Sequence, residues 1–565
     1  MKGRVPRRDF LSGAAVALAG CGHSGSRYFG RAVPPRKQRL VMAIGAGPGT
    51  LDPGLSWDIW EPYAIRALFD GLTGYHETTL EPVAALATHY ELNSDHTQFT
   101  FYLRGHRRLG RTPLPRNPPD RFTDPARWSD GKVITAHDFV YSWRRAIDPA
   151  NGFPTASLFY PIRNAQAINS GNGEPNTLGI RAVDDFVFQV DLREPAPYFL
   201  QLAASNQFFP VPRHVVERAG SFWTRPKQMI SSGAFQLSEW RNGELALVKN
   251  PQYYDAESVR LQELRLITIS EPTTTINLYK AGLIDLVTPL LPALHLRLLR
   301  WATDFHTHPA IANRYLVMNT RNWPFDHVLV RYALNMAIDK KEIQRFTDAG
   351  PAALTLLPPL DGYEPPESLP IKVGDRTCDI LAFDPSGARS LMSAAGLPEW
   401  SRLKIEYLYP TQGNHKERFE ILQKQLRTSL GIELIPVPKE SSIWNEETYG
   451  LHYRGISAWS DIGLCQDPTY FLDQFLTGAP ANVTGWADSR YDAAVAEAKS
   501  STEPAVRLRK FSNCERILLE AMPVIPLYFD AWQQLRKPFV RGIEGNSIDA
   551  IAFHRAWIDT NWRPQ

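Results

Sequence analysis

The 565-residue chain has little cysteine, no long hydrophobic run and almost no excess of either charge. Four cysteines cannot build the dense framework of a disulfide-stapled scaffold. None has C-x-x-C spacing, which argues against a zinc or dithiol site. No apolar stretch approaches the about 20 residues needed to span a bilayer. Sixty-two basic residues face fifty-nine acidic ones, a net of +3, whereas a nucleic-acid binder shows basic residues in clear excess. Hydrolase motifs are also missing. There is no G-x-S-x-G and no H-E-x-x-H, His76-Glu77 lacks a second histidine, and His306 and His308 stand too close for a helical metal pair.

What is present is a large globular protein. Twenty-seven Phe, 21 Tyr and 15 Trp exclude the aromatic-poor composition of a disordered chain. Forty-five prolines beside 37 glycines imply short elements and many turns. At about 150 residues per domain, the length suggests three or four domain-sized units.

The N-terminus reads as an address. Lys2, Arg4, Arg7 and Arg8 precede the apolar Gly13–Gly20, the layout of a signal peptide over residues 1–20. Arg7-Arg8-Asp9-Phe10-Leu11 resembles the twin-arginine export motif, and Leu18-Ala19-Gly20-Cys21 resembles a lipobox whose cysteine is acylated. Lipid on Cys21 would hold a soluble body at a membrane surface, with residues 21–39 as lipidated cysteine and tether. The four basic residues against Asp9 account for the whole net charge, so residues 21–565 are formally neutral.

Helices and strands interleave, so the expected class is α/β. Strands are read at Leu40–Ile44, Phe99–Leu103, Phe186–Leu192, Lys404–Tyr409 and Gly431–Val437. Thr135 and Asp138 cap a helix that Asp148-Pro149 stops. Further helices are read around Val330–Ile338, His415–Leu430, Arg490–Lys499 and Pro504–Ala521. Cys514 falls on an apolar helix face and reads as a core thiol, while the sequence leaves open whether Cys378 and Cys465 pair. Arg104–Arg127 carries seven arginines and five prolines against two acids and reads as a solvated insertion, with anionic lipid headgroups as the alternative contact.

From Trp128 the chain reads WSDGKVITAHDFVYSWRRAIDP. This resembles the signature of the extracellular solute-binding proteins of family 5, the oligopeptide- and dipeptide-binding components of ABC importers. Leu51-Asp52-Pro53, Phe69-Asp70-Gly71, Ser232-Gly233-Ala234-Phe235, Asn250-Pro251, Val330–Leu334, Asp467-Pro468 and Pro523–Tyr528 continue the resemblance in order. It implies a two-lobed periplasmic-binding-protein clamshell with a third, smaller domain. Domain I would be 40–70, 196–308 and 527–565; domain II 71–195; and domain III 309–526. Two hinge crossings would lie near Asn313–Met318 and Pro526–Phe529. It also implies a monomeric receptor, neither an enzyme nor cofactor-dependent, that delivers peptides to an ABC permease.

In peptide-binding members an extended ligand pairs with two protein segments. One maps onto Trp57, Asp58 and Ile59. The other precedes Asp467-Pro468, where this chain departs from the family. Peptide binders usually carry a tryptophan, an aspartate three residues later, and Asp/Glu-Pro three residues after that. Here Asp461 follows Trp459 by two residues and precedes Asp467 by six. Asp461 is the candidate partner for a peptide α-amine, Trp459 is either a ligand cover or core, and Arg454 is a further candidate. Competing readings are the same clamshell holding a saccharide, nickel or haem, and, from another class, an exported hydrolase.

Overall fold

The computed structural model describes residues 28–106, 112–115, 124–288, 299–347, 350–397 and 399–564. The signal, Cys21 and most of the tether lie outside them. Among the described residues, no helix is long and apolar enough to cross a membrane.

A ten-stranded sheet forms the spine. Its spatial order is Glu433–Lys439, Lys404–Pro410, Ile456–Ile462, Phe305–Met318, Val524–Arg536, Leu286–Val287, Arg39–Ile44, Glu263–Thr268, Glu244–Lys249 and Phe235–Arg241. The two central strands have 14 and 13 residues and run antiparallel. At about 3.4 Å per residue each spans roughly 45 Å, enough to belong to two lobes. The Met318 half of the first pairs with Ile456–Ile462, while the Arg536 end of the second pairs with Leu286–Val287. The expected crossing strands are this pair, and the joint falls at the N-terminal edge of the first segment. Register shifts between Pro309 and Asn313, and again between Arg314 and Tyr315. Such irregularities bend a strand and loosen its ladder. The joint is tied from outside: Ile311 N donates to Ser547 O (2.8 Å), Gly463 N to Ile311 O (2.7 Å), and Arg314 Nε to Asp530 Oδ2 (2.7 Å).

Packing divides in the same way. Strand Arg39–Ile44 lies in one large core with the five-stranded antiparallel sheet Thr112–Pro113, Ala87–Leu92, Gln98–Leu103, Val187–Asp191, Ile180–Asp184. Beyond the joint, alternation along each strand feeds two cores on opposite faces. Leu316, Met318, Ile456, Ala458 and Tyr407 go to one face. Tyr315, Val317, Trp459 and Leu408 go to the other.

The signature segment folds as read. Helix Ala136–Ile147 starts at Thr135 with a capping box closed by Asp138. Its Arg145 forms a two-pronged ion pair with buried Asp52 (3.1 and 2.6 Å), to which Trp223 Nε1 also donates (3.0 Å). Two sequence motifs 93 residues apart thus meet in one buried charge pair.

Two expectations change. The described parts of Arg104–Arg127 are only partly solvated: Thr112, Pro113, Pro115, Asp124 and Arg127 are exposed, but others are anchored. Thr112–Pro113 completes a sheet edge, Leu114 and Ala126 are buried, and Arg104 is buried over the Tyr254 ring at 3.8 Å. Short apolar residues between the arginines supply this anchoring, while 107–111 and 116–123 lie outside the described residues. Cys378, Cys465 and Cys514 are all free and buried, so the pairing of Cys378 with Cys465 that the sequence left open does not form.

The lobes meet along a polar seam. Tyr75 OH donates to Leu464 O (3.1 Å) and Gln466 N to Gln201 Oε1 (2.9 Å). Lys499 Nζ lies 3.0 Å from Glu194 and 2.8 Å from Asp473, with its side chain only 9% exposed. Burial pushes the Asp473 carboxyl up, and Lys499 is the cation that opposes the shift. Lys499→Met removes the main cation facing that partly exposed carboxyl and is expected to cost about 1 kcal/mol, read as a lower urea midpoint. An unchanged midpoint contradicts the assignment.

Candidate functional site

The first candidate segment sits in the turn before helix Glu61–Leu68. Asp52 caps a short turn over Pro53–Leu55, and Glu61, itself buried, reaches back to accept from Trp57 N (2.9 Å) and Asp58 N (3.3 Å). The loop is therefore held by its backbone, which frees side chains. Trp57 is 71% exposed, the most exposed large hydrophobic of the described chain. Asp58 spends one oxygen on its own turn, accepting from Trp60 N at 2.5 Å. Ile59 is half-buried. The Trp60 ring lies against Gly45, where a Cβ would come within 2.6 Å of it, so a glycine is needed there.

The second segment is the strand Ile456–Ile462 beside the joint. Asp461 lies opposite Asn313, whose Oδ1 accepts from Asp461 N (3.0 Å). One carboxylate oxygen, Oδ2, accepts from Tyr315 OH (2.7 Å) and Gln474 Nε2 (2.9 Å). Burial pushes the Asp461 pKa up; Gln474, Tyr315, Trp459 and Arg314 pull it back. The same carboxylate helps to raise the phenols of Tyr449 and Tyr470. Asp461 thus stands in an aromatic setting, with Trp459 packed against Trp444 (5.3 Å between ring centroids) and Tyr449 (5.2 Å). Tyr449 is 52% exposed, so this wall reaches solvent.

Trp459 is 7% exposed and belongs to the core. Arg454 is exposed and precedes the strand, seven residues from Asp461, about 23 Å along an extended chain. The structure therefore groups Trp459 with Asp461 but not Arg454. Among the described residues, no hydrogen bond or ion pair joins Trp57, Asp58 or Ile59 to Asp461; the two segments belong to different lobes. Sequence reasoning missed Tyr315, Asn313, Gln474, Tyr449 and Tyr470. The first two become visible only through strand register, and Gln474 only through the fold of a short turn.

Two cavities, of about 430 and 880 Å3, open elsewhere on the lobe that carries Arg39–Ile44, and neither is lined by Trp57, Asp58 or Asp461. No group of three or more metal-ligating side chains occurs among the described residues.

An acid with a raised folded pKa binds its proton more tightly folded than unfolded. Stability from this source is lost as pH rises from the ordinary aspartate value through the raised one. Asp461→Asn keeps an acceptor for Tyr315 and Gln474 and removes that loss. Melting at pH 4 to 8 should show a flatter profile and no lower Tm at pH 7. A marked drop at pH 7 would mean that the ionised carboxylate is a net stabiliser.

The chain matches the family model of bacterial extracellular solute-binding proteins, family 5 middle, over residues 124–482. Among curated relatives, the periplasmic murein peptide-binding protein MppA of Escherichia coli is 30% identical over 525 residues, covering 92% of this chain and 93% of the relative. The oligopeptide-binding protein OppA of Bacillus subtilis is 28% identical over 535 residues, with coverage of 92% and 93%. Among solved structures, the Escherichia coli murein tripeptide binding protein MppA superposes with a TM-score of 0.77 at 29% identity, covering 93% of this chain and 99% of that one.

Proposed function

Since the chain belongs to the bacterial extracellular solute-binding proteins of family 5, we propose that it captures peptides between its two lobes and hands them to an ABC permease. One observation carries this reading. Two long strands are shared by both half-sheets and are irregular where they pass between them, the build of a hinge that closes on a ligand. The full-length likeness to proteins named for murein peptide and oligopeptide binding supports peptide as the solute. Main-chain pairing supplies affinity without regard to sequence. In this reading Trp57, Asp58 and Ile59 form one wall, and Asp461 pairs with the ligand's ammonium beside Tyr449. The lobes are domain I (40–70, 196–308, 527–565) with domain II (71–195), facing domain III (309–526). Trp459 supports Asp461 from the core, and Arg454 takes part only with a ligand that extends well beyond it.

The reading is tested by incubating the mature chain with pools of di- to pentapeptides. Native mass spectrometry should find bound peptide, and Tm should rise by ligand linkage. A shift with saccharides, nickel or haem and none with any pool would reassign the solute. Asp461→Asn should weaken binding by about 10- to 100-fold, the worth of one charge-assisted bond in a closed cleft.

The working form is proposed to be a monomeric lipoprotein, exported by a twin-arginine-type signal and held at the envelope membrane by lipid on Cys21. Cys21→Ser should move the protein from the membrane to the soluble envelope fraction, and retention at the membrane would contradict lipid anchoring.

A further inference from the structure

We propose that Tyr315 and Gln474 are positioning residues for ligand capture: both donate to the same oxygen of Asp461, and so reserve the other for the ligand's ammonium. This rests on the reading of Asp461 as the amine-pairing carboxylate.

The geometry is specific. Tyr315 is 1% exposed and lies opposite Trp459, two residues along the strand from Asp461, so its hydroxyl reaches diagonally to Oδ2 (2.7 Å). Gln474 comes from a different element. Its Nε2 donates both to Asp461 Oδ2 (2.9 Å) and to Phe471 O (2.9 Å), which fixes the amide's direction. Asn313 fixes the backbone beneath by accepting from Asp461 N, while its own amide donates to Leu356 O (2.8 Å). Two elements, the hinge strand and the turn Asp473–Phe475, thus hold Asp461. Two donors on one oxygen give the carboxylate a defined orientation and favour its ionised form against the burial that pushes its pKa up.

Such an arrangement separates two functions. The Oδ2 donors favour the ionised form, and the ionised form attracts the ligand. Without the donors only Trp459 and Arg314 oppose the burial penalty, the proton is held to higher pH, and the amine loses its partner. The other groups facing Asp461 are Arg314, itself paired with Asp530, and the phenols of Tyr315, Tyr449 and Tyr470. All four are pushed above their ordinary values, so none titrates with Asp461 between pH 4 and 7. Tyr315 also stands immediately after the second register shift of the hinge strand. The capture group is therefore braced by the element that bends.

The test is calorimetric binding of trialanine and N-acetyl-trialanine at pH 4.5 to 7 to the mature chain, Tyr315→Phe, Gln474→Met and Asp461→Asn. The parent should lose trialanine affinity as pH falls through the Asp461 titration. Tyr315→Phe and Gln474→Met should each move that midpoint up by about one pH unit, the size of one lost hydrogen bond to a charged group. N-acetyl-trialanine, which has no cation, should bind weakly with no such midpoint. Should Tyr315→Phe fail to fold, Gln474→Met alone decides, because Gln474 comes from a short turn and not from the ladder of the hinge strand. Parent-like midpoints in folded variants, with Asp461→Asn still impaired, overturn the positioning role and leave the amine-pairing reading intact. Parent-like binding by Asp461→Asn, or no binding of trialanine at all, overturns both.

Discussion

The antiparallel pairing of Phe305–Met318 with Val524–Arg536 is the constraint on which the rest depends. Ordinary strands run five or six residues and end with their domain. These two continue past the edge of one core into the next, so their own ladder bonds carry the sheet from one lobe to the other. At the passage the register shifts, Pro309 offers no N–H, and the flanking strands change from Leu286–Val287 to Ile456–Ile462. A ladder interrupted at one place bends there. Both sides are packed: a large core and a smaller one on the faces of Arg39–Ile44, and two cores on the faces of the other half-sheet. In the proposed reading motion is confined to this short stretch, and the polar seam of Tyr75, Gln201 and Glu194 against Leu464, Gln466 and Lys499 joins the two sides.

The site is arranged around this constraint. Asp461 is bonded to the hinge strand through Asn313 and Tyr315, not to the tip of a free loop. On the other lobe, Trp57 projects from a turn whose backbone is held by Glu61 and whose root is pinned by the Asp52–Arg145 pair. One wall is thus anchored to the signature helix and the other to the hinge. Rigid walls on a bending joint form the cleft of a receptor that closes on its ligand. The neutral charge of residues 21–565 suits ligands of varied charge, and in the proposed reading Asp461 recognises the ammonium that unblocked peptides share.

Much of this was legible in the sequence because local signals agreed with the fold. The capping box at Thr135, the helix at His415–Leu430 and the helix at Pro504–Ala521 appear with the bounds that their caps and apolar spacing dictate. The buried thiol of Cys514 followed from the same spacing. What was not legible depended on long-range pairing. The Arg104–Arg127 segment looks solvated by composition, yet Thr112–Pro113 joins a sheet edge and Leu114 is buried, because three residues outweigh the charge around them. Tyr315 becomes a partner of Asp461 only through a register set 146 residues away, and Gln474 only through a turn that brings its amide back to the strand. Arg454, close to Asp461 in sequence, is separated from it by the full length of an extended strand.

The central claim is that two lobes hinged on two strands close over a peptide. All three cysteines of the described chain are buried, so new surface thiols can be labelled selectively. Spin labels on Asp95→Cys and Asp375→Cys, exposed positions on opposite lobes, report the distance between them by pulsed dipolar spectroscopy. The account predicts a broad distribution without ligand that collapses to one shorter distance when a binding peptide is added. A distribution that is unchanged at saturating peptide would contradict it.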